Sequence, residues 1–166
     1  AFKKLSEKKQ AFNAYKTQKQ KEEKDEQRLK AKRSKENLEK YLMSHDKVDS
    51  TTKYYRCEDM FGNFEVWKSV PEPDRRDIFD DCVFNLAQRE KEEQRVLKKR
   101  NIKVLRKLLE SMESITYQTT WSEAQVLLLE NNDFKSDISL LGMDKEDAWI
   151  VFEDHIRALE VEEAEE

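Results

Sequence analysis

The stretch FEDHIRAL at residues 152–159 has an earlier counterpart in FDDCVFNL at 79–86, and this repetition constrains the chain more than any other feature. Both copies carry a Phe, an acidic pair, an apolar residue four places on and a Leu seven places on, a spacing that collects the apolar groups on one face of a helix. A weaker copy, FNAYKTQ, occupies 12–18. The copies lie 67 and 73 residues apart, longer than the period of helical solenoids and close to the size of small complete domains. His155 of the last copy is Cys82 in the second and Tyr15 in the first. A packed helix position tolerates such an exchange, whereas a catalytic or metal-ligating group does not, so the repeated residues are structural first.

A second element repeats as well. Tyr54, Cys57 and Phe61 recur 67 residues later as Trp121, Ala124 and Leu128, with Thr120 and Glu123 in capping-box spacing at the start of the later copy. Gly62 ends the earlier helix, after which NFEVWKSVPEPD supplies Phe64, Trp67 and Val70 in a short irregular or 3₁₀ connection. Its counterpart is DFKSDISLLGMD, and Pro73 with Asp74, or Asp144, starts each closing helix. Each unit therefore reads helix, helix, short 3₁₀ segment, helix. The core is expected to include Phe12, Tyr54, Phe79, Trp121 and Phe152. The three Trp residues, Trp67 and Trp149 included, read as core rather than as ligand platforms.

Two Gly and two Pro in 166 residues leave little material for turns, so an all-α chain follows. From Lys16 to Arg28 there is no strong apolar residue, no Gly and no Pro. Such a segment is either a helix bridging through solvent or a disordered tether. AQREKEEQRVLKKRN at 87–101 also lacks Gly and Pro, so a closing helix can run straight into the next opening helix. No apolar run approaches the ~20 residues that cross a bilayer, and no signal-peptide pattern is present. Cys57 and Cys82 have no CxxC spacing, which reads as buried thiols in a reducing compartment.

Chemistry has few candidates. His45 and His155 fall in different repeats with no nucleophile motif or Gly-rich loop beside them, so no enzyme and no cofactor are expected. His45 sits in a polar loop and reads as a solvated turn residue. Glu130, Asp133 and Asp137 lack the Gly-containing pattern of a calcium loop, and no metal site is expected.

The paired aromatic helices, the Trp of TYQTTWSEAQ and the closing helix of MDKEDAWIVFEDHIRALE resemble the FF domain, a three-helix module. The resemblance is to the FF array of the pre-mRNA-processing factor 40 family, splicing proteins associated with the U1 snRNP. It covers nearly the whole chain: 1–16 as the closing helix of a preceding, truncated FF domain, 17–28 as a helical linker, 29–90 and 91–160 as FF domains, and 161–166 as an acidic tail. The hallmark Phe of the opening helix is Leu38 and Leu105 here, and Tyr54 fills the place of the hallmark Trp in the first full domain. The implied fold is tandem three-helix FF domains joined by long continuous helices.

One charge feature stands apart. Between Gln94 and Leu109 there are seven basic residues and no acidic one, in a chain of net charge −4. On a helix, Ile102, Leu105, Leu108, Leu109 and Met112 form the core stripe while Arg95, Lys99, Lys103 and Arg106 gather opposite it. This ridge is the expected peptide-binding site, against the plainer reading of a solvated face. The resemblance implies a nuclear, monomeric scaffold in splicing that holds splicing factors and phosphorylated or acidic segments such as the C-terminal repeats of RNA polymerase II. Weak RNA contact by the ridge and an architectural spacer between binding modules remain the alternatives; the acidic net charge and lack of an RNA-binding motif weigh against the former.

Overall fold

The computed structural model describes residues 2–165, with side chains from Lys4 to Glu165; the outermost residues of the expected end segments, Ala1 and Glu166, lie outside the described residues. Eight helices follow in order among the described residues, with no strand: α1 Phe2–Ser44, α2 Tyr54–Phe61, α3 Glu65–Lys68, α4 Glu72–Ser111, α5 Trp121–Glu130, α6 Asn132–Lys135, α7 Ile138–Leu141 and α8 Lys145–Glu165. The chain divides into two compact units, Ala1–Glu90 and Lys91–Glu166.

In the first unit α1 runs unbroken through 17–28, because nothing in that polar stretch removes a backbone donor or favours a turn. Burial begins only at Leu38 and Leu42, one helical turn apart. They meet Val48, Cys57 and Phe61 of α2, Trp67, Val70, and Phe79, Cys82 and Leu86 of α4. The segment around Trp67 corrects the expected irregular or 3₁₀ connection. Residues 65–68 form an α turn in which Lys68 N donates to Phe64 O at 3.0 Å, and this turn drives Trp67 to 1% exposure. Gly62 ends α2 for a different reason from the usual left-handed cap. Its φ is −53°, and a Cβ there would run into the carbonyl oxygen of Glu58, which accepts the Gly62 N–H at 2.8 Å. His45 is half-buried rather than solvated, its ring 4.8 Å from Phe61 and 5.3 Å from Tyr41.

The second unit packs Leu105, Leu108 and Leu109 of α4 with Ile115, Ala124 and Leu128 of α5, Leu140 of α7, and Val151, Phe152 and Ile156 of α8. Core positions repeat at 67 residues up to α5: Leu38 with Leu105, Leu42 with Leu109, Val48 with Ile115, Cys57 with Ala124. From α3 onward the match is 73, so that α3 corresponds to α7 and the start of α4 to the start of α8. Helix α6 has no counterpart in the first unit and accounts for the change of spacing. The single 3₁₀ segment expected here is therefore two short α turns, each with its own cap. Asn131 Oδ1 accepts from Asp133 N and Phe134 N at 2.9 and 3.2 Å, and Asp137 Oδ1 accepts from Leu140 N at 3.1 Å. At α5, Thr120 Oγ1 accepts from Glu123 N at 3.2 Å, and the Thr120 hydroxyl donates to the Glu123 carboxylate at 3.0 Å in place of the usual return bond to the backbone.

One aromatic pair closes each unit. Tyr54 meets Phe79 edge-on at 5.5 Å, and Trp121 meets Phe152 at 5.2 Å, with each Phe buried and its partner half-buried. Phe12 breaks the pattern. It is 64% exposed and outside both cores, a correction to its expected role, because a helix face becomes core only when a second element lies on it. Trp149 likewise is not core; it stands 45% exposed on the outer side of α8.

Candidate anion-binding ridge on helix α4

Helix α4 buries one stripe, with Leu105, Leu108 and Leu109 at most 8% exposed and Ile102 and Met112 half-buried beside them. At about 3.6 residues per turn Lys103 and Lys107 stand across the helix from it and Lys99 and Arg106 flank it, whereas Arg95, seven residues before Ile102, lies on the stripe's own side, a correction to the expected placing of all four opposite the stripe. Arg95, Lys99, Lys103 and Arg106 are all exposed.

These cations differ in what they already hold. Arg95 is committed: its Nη2 and Nε donate to the Glu92 carboxylate at 2.6 and 3.0 Å, and that hydrogen bond holds the Glu92 carboxyl below its ordinary value. Lys98 pairs with Asp147 of α8 at 3.5 Å. Arg100 grips Asp137 through two parallel bonds of 2.6 and 3.0 Å, which lower the Asp137 carboxyl while its Oδ1 also caps α7. Beside that clasp the buried Asn101 donates from Nδ2 to Ser139 O at 3.2 Å and accepts from Arg100 Nη1 at 3.0 Å. Lys98, Arg100 and Asn101 thus belong to the packing of α4 against α7 and α8.

The side chains of Lys99, Lys103 and Arg106 make no hydrogen bond or ion pair to any described residue, and neither does that of the exposed Lys107. Lys99 lies close enough to Glu92 to help hold its carboxyl low. The structure therefore brings Lys99, Lys103 and Arg106 together as uncommitted cations, ties up Arg95, and adds Lys107, which the helical-wheel reading left out although it stands one turn beyond Lys103. The Glu92–Arg95 pair was readable in sequence from its i,i+3 spacing.

Elsewhere the chain offers little chemistry. Among the described residues no group of three or more His, Cys, Asp or Glu side chains could hold a metal ion, and no helix is long and apolar enough to cross a membrane. Burial pushes the thiols of Cys57 and Cys82 up to about 11, so both stay protonated at neutral pH. An apolar recess of about 260 Å³ lies among Trp121, Leu128, Phe134, Leu140 and Met143 of the second unit, with Gln125 and Lys145 among the residues around it.

No model of a known protein family matches the chain. The chain is 49% identical over 162 residues, 98% of its length, to WW domain-containing protein ZK1098.1 of Caenorhabditis elegans. The match covers 22% of that relative's length.

Proposed function

We propose that the chain is a non-enzymatic protein-interaction scaffold of the FF type, acting in the nucleus in pre-mRNA splicing, whose α4 ridge receives phosphorylated or acidic segments of partner proteins. The observation that carries this reading is the set of exposed, uncommitted cations Lys99, Lys103 and Arg106 on one face of a helix in a chain of net charge −4. The helix, helix, short helix, helix order of each unit supports the FF assignment, with α6 as an addition to it. Segment 1–16, with Phe12 and Tyr15 exposed, fits the closing helix of a further unit of the same kind.

A phosphoserine brings about −1.5 to −2 charges and three acceptor oxygens, which ammonium and guanidinium groups one turn apart engage in succession. Because the ridge is exposed, each contact is weak and screened by salt, and affinity depends on several acting together. The C-terminal repeats of RNA polymerase II and acidic stretches of splicing factors are partners of this chemistry.

The test is a titration of a phosphopeptide and its unphosphorylated twin against the chain and its Lys99→Glu/Lys103→Glu variant. The scaffold reading expects binding of the phosphopeptide alone, lost in the variant with helicity and melting unchanged. Equal binding by parent and variant reduces the ridge to a solvated face. A second reading, the architectural spacer, is favoured by the stretch of α1 at 17–28, which is exposed all round. It takes over if no peptide binds and a Pro at Glu23 disturbs the parent protein's function.

A further inference from the structure

We infer that the ridge reads the spacing of charge along its ligand: it takes a short extended segment with acidic groups at alternate residues, over a window of about five. This rests on the scaffold reading above and sharpens it.

Lys99, Lys103 and Lys107 stand at i, i+4 and i+8 on α4. On a helix rising ~1.5 Å per residue they form a row of cations about 6 Å apart and about 12 Å long. In an extended chain, side chains at i, i+2 and i+4 share one side and repeat at about 6.4 to 6.8 Å. Two steps accumulate a mismatch of roughly 1 Å, well within the reach of flexible lysine stems. Consecutive acidic residues would turn every second charge away from the row. Charges three or four apart along an extended chain would sit at roughly 10 Å or more and skip a lysine. Arg106, beside Lys107 and three residues past Lys103, offers a second donor set at the far end of the row.

The ends of the row limit its length. Before it, the Arg95 guanidinium is spent on Glu92. After it come Glu110, four residues beyond Arg106, and then Glu113, both exposed. A long polyanion laid along the helix would run onto these carboxylates, whereas a segment with three anions would not.

The row also lacks what other ligands need. No large apolar side chain is exposed between Lys98 and Thr116. An acidic helix could match the same 6 Å spacing, but helices dock through apolar anchors. Single-stranded RNA needs aromatic faces for its bases to stack on. An extended acidic segment needs neither.

The experiment uses the whole chain and three nine-residue peptides of equal composition, each with three phosphoserines: at alternate positions, consecutive, or three residues apart. Affinities are read by fluorescence anisotropy, with a labelled octauridylate alongside. The alternate peptide is expected to bind severalfold more tightly than either isomer. Lys107→Glu should erase that preference, with up to about fivefold lost per contact. If the three peptides bind equally, or another spacing wins, the spacing inference is overturned while the scaffold reading stands. If no peptide binds, both are overturned, and binding of octauridylate alone would assign the ridge to RNA.

Discussion

Phe152 and Phe12 occupy the same place in the sequence repeat and opposite places in the structure, so replacing each by Ala separates pattern from packing. Phe152 is 2% exposed and its ring lies 5.2 Å from Trp121. Truncation removes the transfer free energy of a fully buried ring, leaves a cavity in a core of ten buried residues, and breaks the aromatic pair, together about 3 to 5 kcal/mol. A unit of roughly 76 residues holds on the order of 4 to 11 kcal/mol in total. Phe152→Ala therefore leaves the second unit marginal at best. Phe12, at 64% exposure, removes little area from water, and Phe12→Ala should fall within about ±0.5 kcal/mol. The assay is urea unfolding followed by far-UV circular dichroism and by tryptophan fluorescence. Trp121 and Trp149 report the second unit and Trp67 the first, separated in single-Trp backgrounds. A Phe152→Ala protein that unfolds at its parent's midpoint would refute the core assignment. A Phe12→Ala protein destabilised as severely as Phe152→Ala would show that the first half of α1 is covered.

The two glycines should respond oppositely to Ala. At Gly62 the new Cβ meets the Glu58 carbonyl oxygen, and a cost of about 1 kcal/mol or more in the first unit's denaturant midpoint is expected. At Gly142 the nearest such atom is 3.6 Å away and φ is −87°, so Ala should be neutral or stabilise by roughly 0.4 to 1 kcal/mol. His155 gives a pH dependence. Burial lowers its pKa from 6.5, against the opposing pull of Glu110 and Glu162, so the unfolded chain takes up the proton first. Stability of the second unit should thus be full above about pH 6.5 and fall as pH drops from there toward the lower folded value. His155→Gln should flatten that part of the melting-temperature profile; an unchanged slope would show that His155 is not the group responsible.

How much was legible in the sequence depended on whether a position is decided locally. The apolar spacing of Leu38 and Leu42, of Cys57 and Phe61, and of Phe79, Cys82 and Leu86 needs only helical periodicity, and all of these residues are buried. Thr120 was visible as a cap because its partner is three residues away. Phe12 and Trp149 show the limit, since an apolar stripe says which face could be buried and not whether another element lies on it. Trp67 is core as its residue type suggests, but the α turn that carries it was not legible: nothing in NFEVWKSVP sets a helical period, and the turn forms as the surrounding core takes up the indole. On the ridge, the exposure of the cations was legible, whereas the engagement of Arg100 depends on Asp137, 37 residues away, and no local pattern announces it.

The exposed row on α4 is proposed as a binding surface for acidic segments and not merely a soluble face. Backbone amide chemical shifts of the isotopically labelled chain, followed by NMR as phosphopeptide is added at low salt, test it most directly. Saturable shifts clustered from Lys99 to Lys107 are expected, fading as salt rises and absent in Lys99→Glu/Lys103→Glu. Shifts centred instead on the recess at Trp121, or no shift along α4 at any concentration, would contradict it.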